Sequence, residues 1–205
     1  MSRTPLAVRN RPPHAGRRRP RIGLLGGSFN PAHIGHLHIS RLALDRLGLD
    51  QVWWLVSPQN PLKSEDGMAS RSERLKGARA IAQGRDLWVT DMEKDLGTRY
   101  TAETLKALKG GFPENRFVWI MGADNLIDIA RWNDWTEIFG AVPVAVFARP
   151  AYSFKALVST AARQFAGNRI NESRADGLVD MKPPAWVFLH IPPNPASATR
   201  IRGGV

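Results

Sequence analysis

His33 and His36 stand three residues apart in GGSFNPAHIGHLHIS, residues 26–40. At that spacing two imidazoles on a helix share a face and can reach one ligand. Imidazole is also the side chain best suited to give or hold a proton near neutrality. Gly26 and Gly27 let the backbone approach a ligand closely, Ser28 adds a hydroxyl donor, and Asn30-Pro31 supplies a turn. Gly35 keeps the space between the two rings clear. A lone histidine is more often a cap or a satisfied core group. Here glycines, a hydroxyl, a turn and two imidazoles converge on one helix start, where unpaired N–H groups and the helix dipole favour an anion.

Such a site needs a strand before it and a helix after it. Ile22-Gly23-Leu24-Leu25 reads as a buried strand, and Leu37, Ala43, Leu44 and Leu47 recur at helical spacing. Gln51 to Ser57 (QVWWLVS) is a second strand, and the loop from Pro58 to Lys63 leaves its end, where open α/β sheets bind ligands. Asn60 and Lys63 offer an amide and a cation suited to phosphate. Ser70-x-x-Glu73 is a capping box that opens a packing helix to Ala82. Leu87 to Thr90 is a third strand. Gly97-Thr98-Arg99-Tyr100-Thr101 then leads into a helix carrying Thr104, Leu105 and Leu108, with Thr101 placed to cap it or to face a substrate carboxylate.

Phe117 to Met121 is a strongly apolar strand that ends in Gly122-Ala123-Asp124-Asn125, ahead of a helix over Leu126 to Ala130. Asp124 is either an ordinary N-cap or an acceptor for ribose hydroxyls. Trp135 reads as core, and Trp132 is suited to stacking on a flat heterocycle. Val142 to Phe147 is the fifth strand, with Arg149 at its exit. Residues 151–166 read as one helix and 167–184 as polar and irregular. Trp186 to Ile191 is the last strand, in which His190 reads as packed among apolar neighbours. Six strands alternating with helices predict an α/β, Rossmann-like fold with a mostly parallel sheet of about six strands and helices on both faces.

The chain has 205 residues, 43% of them apolar, enough for one domain with a substantial core. Seven arginines and no acid fall within Met1–Arg21, so most of the net charge of +11 sits in an arm. Its prolines and lack of periodicity predict a disordered basic tail at 1–21, ahead of a single domain at 22–205. The absence of cysteine excludes disulfides and thiolate metal sites, and no run is long enough to span a membrane, so a cytoplasmic protein is expected. No G-x-G-x-x-G follows the first strand and no G-x-x-x-x-G-K-[ST] occurs, which leaves dinucleotide oxidoreductases and P-loop ATPases unsupported.

GGSFNPAHIGH at 26–36 resembles the G-x-F-x-P-x-H-x-G-H pattern of the nucleotidyltransferase superfamily. GTRYTAETL at 97–105, MGADNL with the following RW at 121–132, and SATRIR at 197–202 are similar, in the same order, to bacterial nicotinate-nucleotide adenylyltransferases. That resemblance implies adenylyl transfer from ATP to nicotinate mononucleotide. It implies His33, His36 and Arg202 as the catalytic set. Gly26, Gly27, Ser28, Phe29, Gly122 and Asp124 would line the ATP site, with Ser197, Thr199 and Arg202 closing over the triphosphate. Asn60, Lys63 and Arg149 would take the mononucleotide phosphate, Trp132 would stack on the nicotinate ring, and Tyr100 and Thr101 would receive its carboxylate. Mg²⁺ would ride on the phosphates with no protein metal ligand.

Three departures from the family pattern stand out. Asn30 occupies a position that is often aspartate, Ala198 one that is often serine, and Gly203-Gly204-Val205 cannot form the helix expected after Arg202, a support that a neighbouring subunit of a homo-oligomer could replace. Enzymatic alternatives are transfer to nicotinamide mononucleotide or another small phosphorylated substrate. A synthetase fragment lacks its K-M-S-K-S-like loop. The non-enzyme alternative is a nucleic-acid-binding protein driven by the basic tail, a partner class the concentrated charge alone suggests. Deleting residues 1–21 separates these: turnover is expected to stay nearly intact, whereas a nucleic-acid module would lose salt-sensitive binding in a filter or anisotropy titration.

Overall fold

The computed structural model describes residues 19–58, 67–149 and 151–192. The chain runs β1 (Arg21–Gly27), α1 (Ile34–Arg46), β2 (Gln51–Val56), α2 (Arg71–Ile81), β3 (Leu87–Thr90), α3 (Glu93–Leu96) and α4 (Thr101–Gly111). It continues through β4 (Arg116–Gly122), α5 (Ala123–Asp128), α6 (Trp135–Ala141), β5 (Val144–Phe147), α7 (Ser153–Leu157), α8 (Thr160–Gln164), β6 (Arg169–Ile170) and β7 (Trp186–Leu189). The strands form one sheet in the order β3-β2-β1-β4-β5-β7-β6, every pairing parallel. The chain winds outward from β1 to β3, then returns to pair β4 with β1 on the other side. That reversal opens a crevice at the carboxyl ends of β1 and β4, the place where ligands enter open α/β sheets.

Two apolar clusters explain why nearly every strand residue is buried. On one face Ile22, Leu24, Trp53, Leu55, Phe117 and Trp119 meet Leu105 and Leu108 of α4, Leu126 of α5 and Phe139 of α6. On the other, Leu25, Val52, Trp54, Val118 and Ile120 meet Ala43 of α1, Ala78 of α2 and a 3₁₀ run over Glu172–Asp180. A sheet buried on both sides reads as continuous β-branched and aromatic runs, as QVWWLV does. The Rossmann-like expectation holds, with helices on both faces.

Several local expectations change. A seventh, two-residue strand, Arg169–Ile170, pairs with β7. The single helix expected over 151–166 is two, because the Ser159 hydroxyl accepts the Ala162 N–H and restarts the helix as α8. Residues 167–184 are not irregular: Asn171 caps the Glu172–Asp180 run, which buries Ala175, Leu178 and Val179. Those buried residues stand among polar neighbours, which makes the stretch read as loop. Arg21, assigned to the tail, is the first residue of β1. Its N–H donates to Asp50 at 2.9 Å and its guanidinium pairs with Asp180. His190 is exposed rather than packed, its Nδ1 2.8 Å from Glu172.

Trp53 is fully buried and meets Trp88, Phe112 and Phe117 edge-on. Trp53→Ala should cost about 3–5 kcal/mol, read as a lower urea midpoint with an unchanged slope.

Candidate active site

β1 delivers the glycines to the crevice. At Gly26 a Cβ would lie 2.4 Å from Cη2 of Trp119, so only glycine lets the strand pass over that indole. The Gly27 carbonyl accepts the Ser57 N–H at 3.0 Å and its hydroxyl at 3.2 Å, which ties the exits of β1 and β2 together. Phe29 takes a left-handed φ of 47°, and its ring turns inward to stack on Trp54 at 5.0 Å with the planes 9° apart. The ring is buried 4.8 Å from His36. Phe29 therefore supports the imidazole from below, and its ring is not part of the ligand-facing wall. Asn30 holds the loop to its neighbour: its Nδ2 donates to the Gly67 carbonyl at 3.2 Å and its Oδ1 accepts the Ala69 N–H at 3.1 Å. A turn-shaping role for Asn30 agrees with an amide in place of an acid.

His33 is the N-cap of α1, in extended conformation with φ −150°. Its Nδ1 accepts the Gly35 N–H at 3.1 Å, and its own N–H donates to Nδ1 of His36 at 3.2 Å. A ring nitrogen that accepts an N–H carries no proton, so in both neutral rings the proton sits on Nε2. The pair thus offers two outward donors from rings whose centroids are 3.9 Å apart. Burial, then the charge of Arg149, lowers the pKa of His33 to about 4. Burial, then His33 and Arg149, lowers that of His36 to about 3. Each group has a folded pKa below its ordinary 6.5, so each contributes stability above pH 6.5 that is lost as pH falls toward those values. Without a bound anion the pair is neutral at pH 7.

β4 and β5 bring the other charges. Asp124 lies in the first turn of α5, where Gly122 and not Asp124 is the N-cap. Its Oδ2 accepts Nη1 of Arg149 at 2.7 Å, while its Oδ1 is buried without a partner among the described residues. Arg149, assigned from sequence to the mononucleotide phosphate, is near enough to act on both histidines. His33, His36, Asp124 and Arg149 therefore converge from three strand ends.

At the start of α4, Oε2 of Glu103 accepts the N–H groups of Arg99 and Tyr100, at 3.1 and 3.3 Å. Tyr100, not Thr101, is the N-cap, and Thr101 is the first helical residue. Trp132 and Trp135 are both half-buried against the first apolar cluster. Asn60, Lys63, Ser197, Thr199 and Arg202 lie outside the described residues.

One residue that the sequence reading set aside as part of a packing helix is Arg74. It is 4% exposed, yet its guanidinium donates to the carbonyls of Ala69 (3.2 Å), Ser28 (2.6 Å), Ser57 (2.9 Å) and Pro58 (2.9 Å). A buried cation with four main-chain acceptors and no acid among the described residues fixes both loops that flank the crevice. Burial, then Arg71, lowers its pKa without changing its charge at neutrality. A charged depression between α4 and α6, lined by Glu103, Lys106, Lys109 and Glu137, holds none of the site residues.

The profile of the cytidylyltransferase-like family matches residues 24–204. A probable nicotinate-nucleotide adenylyltransferase of Parvibaculum lavamentivorans is 52% identical over 182 residues, covering 89% of this chain and 90% of that protein. One of Caulobacter sp. is 51% identical over 183 residues, covering 89% and 97%. Among solved structures, a Plasmodium falciparum nicotinic acid mononucleotide adenylyltransferase complexed with NaAD shares the fold at a TM-score of 0.67 and 18% identity, covering 90% of this chain and 83% of that one. The chain belongs to the cytidylyltransferase-like family and, within it, to the nicotinate-nucleotide adenylyltransferases.

Proposed function

We propose that this protein transfers the adenylyl group of ATP to nicotinate mononucleotide, giving nicotinate adenine dinucleotide and pyrophosphate in the synthesis of NAD. The observation that carries the reading is the imidazole pair with both protons on Nε2 at the β1–α1 crossing. An oxygen of the mononucleotide phosphate attacks the α-phosphorus of ATP. As that P–O bond forms, the bond to the bridging oxygen breaks, and its electron pair leaves on pyrophosphate. No side chain becomes covalently modified. Catalysis is positioning plus stabilisation of charge on the transferring group.

His33 and His36 donate from Nε2 to phosphate oxygens, and these bonds strengthen as negative charge develops. A triphosphate beside the rings also favours their protonated forms, so binding the anion opposes the effect of burial. Arg149 supplies fixed positive charge at the same place. The buried Oδ1 of Asp124 suits a ribose hydroxyl, which would satisfy an acceptor that has no partner among the described residues. Tyr100, Thr101 and the amides at the start of α4 serve the nicotinate carboxylate, and Trp132 its ring. Asn60 and Lys63 serve the mononucleotide phosphate, and Ser197, Thr199 and Arg202 the triphosphate. Mg²⁺, when bound, would ride on the substrate phosphates and supply charge neutralisation there. Asp124 is engaged by Arg149. A cytoplasmic setting goes with this reading, since both substrates are charged metabolites.

The test supplies ATP and Mg²⁺ with either nicotinate or nicotinamide mononucleotide. A kcat/KM at least roughly ten-fold higher for the acid is expected, because an anion at amide donors forms charge-assisted bonds that a neutral amide does not. Equal use of the two would overturn the assigned specificity. His36→Ala is expected to lower kcat about 10²-fold, while the loss of its capping contact to the His33 N–H costs about 1 kcal/mol, read as a modest fall in the urea midpoint. Unchanged turnover in that variant would remove the imidazole pair from the chemistry.

A further inference from the structure

Glu93 opens α3 and is 8% exposed, yet its Oε2 is buried with no hydrogen-bond partner among the described residues. Its Oε1 lies 3.1 Å from the Thr104 hydroxyl. That hydroxyl is also 3.2 Å from the Tyr100 carbonyl and 2.9 Å from the Thr98 hydroxyl. Thr104 has one proton to give. An ionised Glu93 only accepts, so Thr104 donates to it and Thr98 donates to Thr104. A protonated Glu93 donates its O–H to Thr104 instead, and the Thr104 proton turns to the Tyr100 carbonyl, which already accepts the Thr104 N–H at 3.0 Å. The two states hold the end of the α3–α4 loop differently.

We propose that Glu93 is a positioning residue for substrate specificity: the charge on its buried carboxyl sets how well the start of α4 accepts the carboxylate of nicotinate mononucleotide. This rests on the reading of Tyr100 and Thr101 as the nicotinate end of the site. An ionised Glu93, two hydrogen bonds behind those amides, repels an anionic ring substituent and draws Thr104 away from Tyr100. The neutral acid does neither, and a substrate amide is indifferent to the charge.

Among the described residues no cation is paired with Glu93 to hold it ionised. Lys94 and Asp95 on its own helix are exposed, as are Arg99 on the loop and Glu103, Lys106 and Lys109 on α4. Asp91, at the exit of β3, faces Arg71 at 3.5 Å. None of these is hydrogen-bonded or ion-paired to Glu93. Burial, opposed by the Thr104 hydroxyl, raises the carboxyl to about 7, so both states are populated near neutrality.

The experiment measures kcat/KM for nicotinate and nicotinamide mononucleotide across pH 5.5–9, in the full chain and in Glu93→Gln. The two substrates share ribose and phosphate, so their ratio cancels the phosphate titration near pKa about 6 and that of the histidines. In the unmodified protein the acid-to-amide ratio should fall roughly ten-fold as pH rises through about 7. The change should lie in KM for the acid, with kcat constant. Glu93→Gln should hold the low-pH ratio throughout. A nicotinate preference that ignores pH in the unmodified protein overturns the role of Glu93 even if the variant fails to fold, and leaves the site reading standing. So does a Glu93→Gln profile that still falls with pH. Absence of a nicotinate preference at every pH overturns both.

Discussion

Two main-chain N–H groups decide where the protons of this site sit. The His33 amide donates into the ring of His36, and the Gly35 amide donates into the ring of His33. Each neutral imidazole therefore holds Nδ1 as an acceptor and keeps its proton on Nε2. That arrangement exists because α1 begins at Ile34 with His33 still extended. The stack of Phe29 on Trp54 supports His36. Behind it, Ser40 donates to the His36 carbonyl at 2.8 Å and accepts the Trp54 indole N–H at 2.8 Å. An apolar core thus reaches, through one hydroxyl, to the polarity of the active rings.

The parallel sheet provides the second constraint. Its reversal between β1 and β4 brings an arginine from the end of β5 and an aspartate from the end of β4 beside histidines from the start of α1. The Asp124–Arg149 pair spans 25 residues of sequence. It couples a carboxylate at the end of β4 to a guanidinium at the end of β5, so a change at one group alters the other. At the opposite wall, Arg74 gathers carbonyls from Ser28, Ser57 and Pro58. The two sides are thus fixed by different chemistry, one by a carboxylate–guanidinium pair and the other by main-chain oxygens around a guanidinium.

The fold was largely legible because each long strand is a short apolar run closed by glycine, proline or an acid. The helix starts at Ser70 and His33 also carry their capping residues in plain view. The 3₁₀ run after Asn171 was hidden because its buried residues, Ala175, Leu178 and Val179, stand among polar neighbours. At the crevice, the placing of His33 and His36 at a helix start and of Asp124 just past a strand end could be read from the sequence, whereas the Asp124–Arg149 ion pair could not, since its partners are distant in sequence. Arg74 and Glu93 left no such mark. A charged residue in a polar stretch reads as solvated, and only the tertiary fold reveals that Arg74 is enclosed by carbonyls and that Glu93 is buried with one oxygen on the Thr104 hydroxyl and the other without a partner among the described residues. Thr101 was misread by one position, because Glu103 caps the amides ahead of it.

The four carbonyls around Arg74 have a practical consequence. A lysine ammonium could not span them, and a neutral side chain would leave several oxygens without donors. The two loops that flank the crevice thus share a bolt that cannot itself be exchanged. Attempts to redirect this scaffold would do better to vary the loop tips and leave that internal guanidinium in place.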